Sequence, residues 1–242
     1  DGGLYHTKLC PAPVTPKFLV RESNPNSTRN KDAHFSKVSH SFHSGWLVSQ
    51  TLGFWSALKL ARNIFSPTMQ PASTSSFKHM ERHSTLSIQR AGDASLEGKL
   101  LGFSVEEMSE RVKNLLFSIG LVDSFAPLVY IIGHGASSVN NPHYAAYDCG
   151  ACSGRAGSVN ARVMSFMANH PDVRAQLRKD GIDIPESTVF VGGLHDTTRD
   201  EMEFYDTDQL TPRGLEVHQK TVHTMQNALD DNAKERSRRF MN

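Results

Sequence analysis

The sequence predicts an α/β fold in which a mostly parallel sheet is flanked by helices. Two continuous apolar runs of strand length point to it, "APLVYIIGHG" (residues 126–135) and "STVFVGGLHDTT" (187–198). Strands covered on both faces read as unbroken apolar runs rather than as alternations. Between them lie two helical patterns, "SVNARVMSFMANH" and "PDVRAQLRKDG", and strand–helix–strand order is the signature of parallel pairing.

Taken along the chain, the elements divide into three stretches. Residues 1–35 are rich in Pro, Asn, Ser and Thr and read as extended and loop structure, with a short strand around Phe18–Val20. Residues 36–100 form a helical stretch with a Ser/Pro-rich excursion. Its helix covers 36–66 and offers Trp46, Phe54, Trp55, Leu58 and Phe65 for burial, and 67–98 reads as a surface excursion or linker. Residues 101–242 hold the α/β part. It opens with "SVEEMSERVKNLLFSIGL", where Ser104 and Glu107 form a capping box. Val105, Met108, Val112, Leu115, Leu116 and Ile119 make its apolar face. Ser158 is the expected cap of the next helix, and Pro171 and Gly181 bracket the one after it. Pro212 opens a long polar helix striped by Val222, Met225 and Leu229.

Composition narrows the function. The chain has 242 residues, 38% hydrophobic and 21% charged, so it can bury a core. A formal net charge of +1 gives no pull toward nucleic acid, and no nucleic-acid motif is present. Three cysteines do not make a disulfide framework, and two of them share one Cys-x-x-Cys, which favours a reducing compartment. The most apolar long stretch, Gly45 to Phe65, is broken by Lys59 and Arg62 and does not read as a membrane span. The opening "DGGLYHTKLC" has neither an initiator Met nor an apolar leader, which suggests an internal piece of a longer chain.

The chemistry gathers at the ends of the two apolar runs. Ligands of such sheets bind beyond the carboxyl ends of the strands, where Gly133-His134-Gly135 and Leu194-His195-Asp196 both lie. Glycine neighbours let another group approach His134 closely; a loop histidine bonded to the backbone is the plainer alternative. Cys149 and Cys152 follow His134 in "YDCGAC". Thiolate and imidazole together suit Zn²⁺, and a structural Cys₂His₂ site would take His134, Cys149 and Cys152 with His143 or His195. Thiol redox chemistry at Cys149 and Cys152 and simple apolar packing of the two remain open. Asp196, with the threonines after it, orients His195 or caps the strand end. The Gly-rich "CGACSGRAGSVN" offers Arg155 and a helix N-terminus to an anion but lacks the ending of a P-loop.

Together "GHGASSVNNPHYAAYDCGACSGRAGSVNAR", "IPESTVFVGGLHDTTRDEM" and the earlier "LCPAPVTPKFLV" resemble the DabA family of inorganic-carbon transporter subunits, across most of residues 4–20 and 125–240. The resemblance implies a zinc site like that of β-carbonic anhydrases, with two cysteines, a histidine and an aspartate as ligands. His134 and Cys149 match two of the metal ligands. The other two belong to an upstream Cys-x-Asp-x-Arg motif that this sequence does not contain. The implied picture is therefore half a β-carbonic-anhydrase-like site, whose catalytic Asp and Arg lie outside this chain. Asp148, Cys152, Arg155, Asn160, His195 and Asp196 are candidates for orienting the ligands or fixing the loop. The implied activity is CO₂ hydration to bicarbonate, coupled to energised uptake, with Zn²⁺ as cofactor and this piece alone inactive. The implied partners are an antiporter-like, DabB-like membrane subunit and the missing upstream portion of the same polypeptide, at the cytoplasmic face of the inner membrane as a peripheral subunit.

Overall fold

The structure is a computed structural model that describes residues 4–6, 18–23, 46, 57–58, 61, 85–96, 98–136, 156–197 and 200–239. Two sheets, four α-helices, a 3₁₀ turn (Thr207–Gln209) and isolated helical positions at 46, 57–58 and 61 make up the described part. The first sheet joins β1 (Leu4–His6), β2 (Phe18–Ser23), β3 (Thr85–Ser87), β4 (Ser95–Leu96) and β5 (Lys99–Leu101). In it β2 pairs antiparallel with β1 and β3 and parallel with β5. The second sheet has the order β6 (Leu128–Gly135), β7 (Val189–Asp196), β8 (Glu201–Phe204). Here β6 and β7 run parallel in the predicted way, while β8 returns antiparallel through a hairpin. Both sheets are thus mixed. The α/β class and the flanking helices are as expected, and β8 runs antiparallel to β7 because the short connection between them cannot make a crossover.

Helix α1 (Val105–Ile119) starts where the capping box places it: Ser104 Oγ accepts from the Glu107 amide, and the Glu107 carboxylate accepts from the Ser104 amide. Glu107 also pairs with Arg90, tying the helix start to the strand region before it. Gly120 ends the helix in the left-handed conformation. Met108, Val112 and Leu116 are fully buried as the stripe predicts. Ile119 is in phase with them but lies in the last turn and is 60% exposed, so it leaves the expected core. Trp46 and Leu58, helical residues offered for burial by the sequence, are also exposed among the described residues. The stretch 67–98, read as an excursion, contains β3 and β4 in its described portion; Leu86 and Ile88 there join the core.

Helices α2 (Ser158–Asn169) and α3 (Pro171–Lys179) connect β6 to β7. The N-cap of α2 is Gly157 rather than Ser158, and no side chain caps it. For α3, Pro171 takes the first turn as expected, and the His170 imidazole caps the helix by accepting from the Asp172 amide. Val163, Met167, Val173 and Leu177 meet α1 and the β7 residues Phe190 and Leu194 in one core. Two polar devices lock this layer. Asn169 donates to the Phe190 carbonyl and accepts from the Phe190 amide, so a side-chain amide continues the sheet where β8 does not reach. Arg162, 1% exposed, forms a two-pronged ion pair with Asp206 at 2.7 and 2.6 Å and lies over the Tyr205 ring.

The last helix, α4 (Pro212–Arg239), covers the other face of the second sheet. Its inward stripe runs through His218, Val222, Met225 and Leu229, with His218 and Leu229 buried. His218 packs against Tyr130 and Phe204 with ring centroids at 5.8 and 5.0 Å. The Tyr130 hydroxyl lies 3.0 Å from His218 Nδ1. Burial lowers the pKa of His218, so the neutral ring is favoured in this setting.

Candidate functional site

Pairing register brings the two chemistry-bearing strand ends side by side. His134 of β6 stands opposite His195 of β7, and Gly135 opposite Asp196. Side chains alternate across a sheet. His134 therefore shares a face with Tyr130, Ile132, Val191, Gly193, His195, Met202 and Phe204. Asp196 lies on the α2 face, in register with Glu201. The two histidines expected to converge from separate strands do share one rim, and Asp196 points the other way.

The glycines around His134 have a local reason. A Cβ on Gly133 would stand 2.5 Å from the carbonyl carbon and 3.0 Å from the Cα of Gly157, at the start of α2. A Cβ on Gly135 would come within 3.0 Å of a Leu194 methyl. Both glycines thus let α2 and β7 close onto the strand, on the face away from the His134 side chain. The Gly157 amide donates to the His134 carbonyl at 2.7 Å, pinning the backbone of that residue to the helix start. The Thr197 amide donates to the Gly135 carbonyl at 3.0 Å and holds the two strand ends together. The backbone under His134 is fixed from both sides, and its side chain is exposed.

Asn160 sits in the first turn of α2. Asp148, Cys149, Cys152, Arg155 and His143 lie outside the described residues. Among the described residues, no three of His, Cys, Asp and Glu come close enough to hold a metal ion. His134 fits the role of one ligand in its donor chemistry and in its fixed, accessible position at the strand end.

Asp200 and Arg236 at the rim, and Tyr205 just past the far end of β8, escape sequence reading. Asp200, in the β7–β8 hairpin, places Oδ1 3.9 Å from His195 Nε2. Its other oxygen accepts from Arg236 of α4. The sequence separation of 36 carries no spacing signal that would find the pair. On the α2 face, the Tyr205 hydroxyl donates to Glu203 at 3.3 Å. Burial first, and the Glu203 charge second, push the pKa of that phenol far up, so it stays protonated as a donor.

The profile of the family described as "Probable inorganic carbon transporter subunit DabA" matches residues 3–242. The probable inorganic carbon transporter subunit DabA of Azotobacter vinelandii is 56% identical over 236 residues, covering 97% of this chain and 28% of that protein. The subunit of the same name from Nitrosospira multiformis is 52% identical over 245 residues, covering 100% of this chain and 27% of that protein. The Geobacillus thermodenitrificans subunit is 37% identical over 236 residues. The chain spans a little over a quarter of the length of the first two relatives. No solved structure matches. The chain belongs to the DabA family, whose members are described as probable inorganic carbon transporter subunits.

Proposed function

We propose that this chain supplies half of a zinc site that hydrates CO₂ within an inorganic-carbon uptake subunit. His134 and Cys149 would hold the ion. The remaining ligands, a cysteine and an aspartate, would come from a Cys-x-Asp-x-Arg segment elsewhere in the longer polypeptide. The observation that supports the reading is the setting of His134. An exposed imidazole ends a strand of a parallel pair, on backbone clamped by the start of α2 and by Thr197. Ligands of open α/β sheets bind in that position.

A bound zinc supplies Lewis acidity, which makes water nucleophilic toward CO₂ near neutral pH. The chain's own residues position and hold. Gly133 and Gly135 allow the tight packing that fixes the His134 backbone. Asn160 at the head of α2, and Asp148, Cys152 and Arg155 in the preceding loop, would orient the ligands. The chain by itself has too few ligands to retain zinc tightly and would be inactive. No helix among the described residues is long and apolar enough to cross a membrane. That suits a peripheral subunit docked on an antiporter-like, DabB-like membrane partner at the cytoplasmic face.

Zinc analysis of the full-length protein tests the reading. His134→Ala and Cys149→Ser should each abolish zinc and uptake, while Cys152→Ser should keep zinc. The register of His134 with His195 favours a second reading, a structural Cys₂His₂ site in a partner-binding module. On that reading Cys152→Ser and His195→Ala would also release the metal.

A further inference from the structure

His195, Asp200 of the adjoining hairpin and the sequence-distant Arg236 converge at the end of β7. His195 lies on the same sheet face as His134 and in register with it. Asp200 occupies the hairpin turn with φ of 52°, a left-handed backbone that non-glycine residues seldom adopt. That conformation brings its carboxylate against the imidazole, with Oδ1 3.9 Å from Nε2. Arg236, near the end of α4, takes the other oxygen. Both facing atoms, His195 Nε2 and Asp200 Oδ1, are buried and have no hydrogen-bond partner among the described residues. Closing the gap by roughly 1 Å would give a hydrogen bond of ordinary length.

A carboxylate only accepts. In a hydrogen bond across that gap the ring nitrogen facing the carboxylate would carry the proton, and Nδ1 would keep its lone pair. The His195 side chain is 26% exposed, so the ring is reached by solvent. We propose that Asp200, anchored by Arg236, is a positioning residue that sets the orientation and tautomer of His195, leaving Nδ1 as a hydrogen-bond acceptor for water at the rim beside His134. The part His195 plays in CO₂ hydration rests on the reading above; the Arg236–Asp200–His195 chain itself does not. It also makes α4 a support of the rim rather than only a cover for the sheet.

The test is a double-substitution cycle in the full-length protein with its partner, read as uptake of labelled inorganic carbon. Asp200→Asn keeps the volume but removes the charge and turns one of the two acceptor oxygens into a donor amide, so one oxygen is left to serve both His195 and Arg236; it should lower uptake about 10-fold, as loss of an orienting partner does. His195→Gln should lower uptake similarly, and the double variant should fall no further than His195→Gln alone. Arg236→Gln, on a side chain 46% exposed and tolerant of change, should lower uptake less than Asp200→Asn, and Arg236→Lys should restore most of it. Additive losses in the double variant would overturn the proposal. So would wild-type uptake in Asp200→Asn, or an Arg236→Lys as poor as Arg236→Gln. Zinc content, measured in parallel, keeps the two ideas apart. An uptake-competent protein without zinc would sink the metal reading while the cycle still reports on Asp200.

Discussion

Gly133→Ala gives the sharpest view of how the fold holds His134. The added methyl would sit 2.5 Å from the Gly157 carbonyl carbon, whereas ordinary contacts begin near 3.4 Å. The start of α2 and β6 must then part by roughly 1 Å, because both sides of the clash are backbone and neither can rotate away. Overpacking of this kind costs about 1–3 kcal/mol. The separation also breaks the 2.7 Å bond from the Gly157 amide to the His134 carbonyl, which adds about 1 kcal/mol. The sum is about 2–4 kcal/mol of local stability. Hydrogen exchange read by mass spectrometry in the full-length protein is the assay. Peptides covering residues 128–135 and 157–165 should exchange roughly 30- to 700-fold faster, at about 1.4 kcal/mol per tenfold change. Gly181→Ala is the comparison: its φ is 86° and nothing lies near the new methyl, so only backbone strain of about 1 kcal/mol applies. Exchange in Gly133→Ala no faster than in Gly181→Ala would refute the claim that close packing on α2 demands this glycine.

Other outcomes follow from the same packing. Asp206→Ala should destabilise the α2–β7 layer by about 2 kcal/mol or more, since it removes the carboxylate that forms a two-pronged ion pair with the buried Arg162 guanidinium; chemical denaturation measures it. Ser104→Ala should cost about 1 kcal/mol through the lost cap of α1. Glu107→Ala should cost more, because the pair with Arg90 goes too. The lowered pKa of His218 sets a pH dependence. The unfolded chain binds a proton at higher pH than the folded one, so stability from this group is complete above the ordinary histidine pKa of about 6.5. It falls as pH drops from there toward the folded value. Denaturation midpoints between pH 5 and 8 should show that fall, and His218→Gln should flatten it.

Much of the fold was legible because periodicity reports burial directly. The unbroken apolar runs at 128–135 and 189–196 are the parallel pair, and the stripe Met108–Val112–Leu116 is the core seam of α1. The capping box was readable because it is local. The sequence signal failed where a distant contact decides. Ser158 looks like a cap by type, but the tight seat of Gly157 on Gly133 places the helix start one residue earlier. His218 does not look like a stripe residue, yet Tyr130 and Phe204 enclose it. At the site, the glycine-flanked His134 and the placing of His195 at a neighbouring strand end follow from the sequence, while the register that sets them side by side comes from the structure. Asp200 and Arg236 do not, since only the hairpin and the docking of α4 bring them to the rim.

The most direct test of the zinc reading is X-ray absorption at the zinc edge on the full-length protein, wild type against His134→Ala. The account predicts a mixed sulfur and nitrogen/oxygen shell with an imidazole contribution that disappears, along with most of the zinc, in the variant. A wild-type spectrum without imidazole, or a variant whose zinc content and spectrum match the wild type, would contradict it.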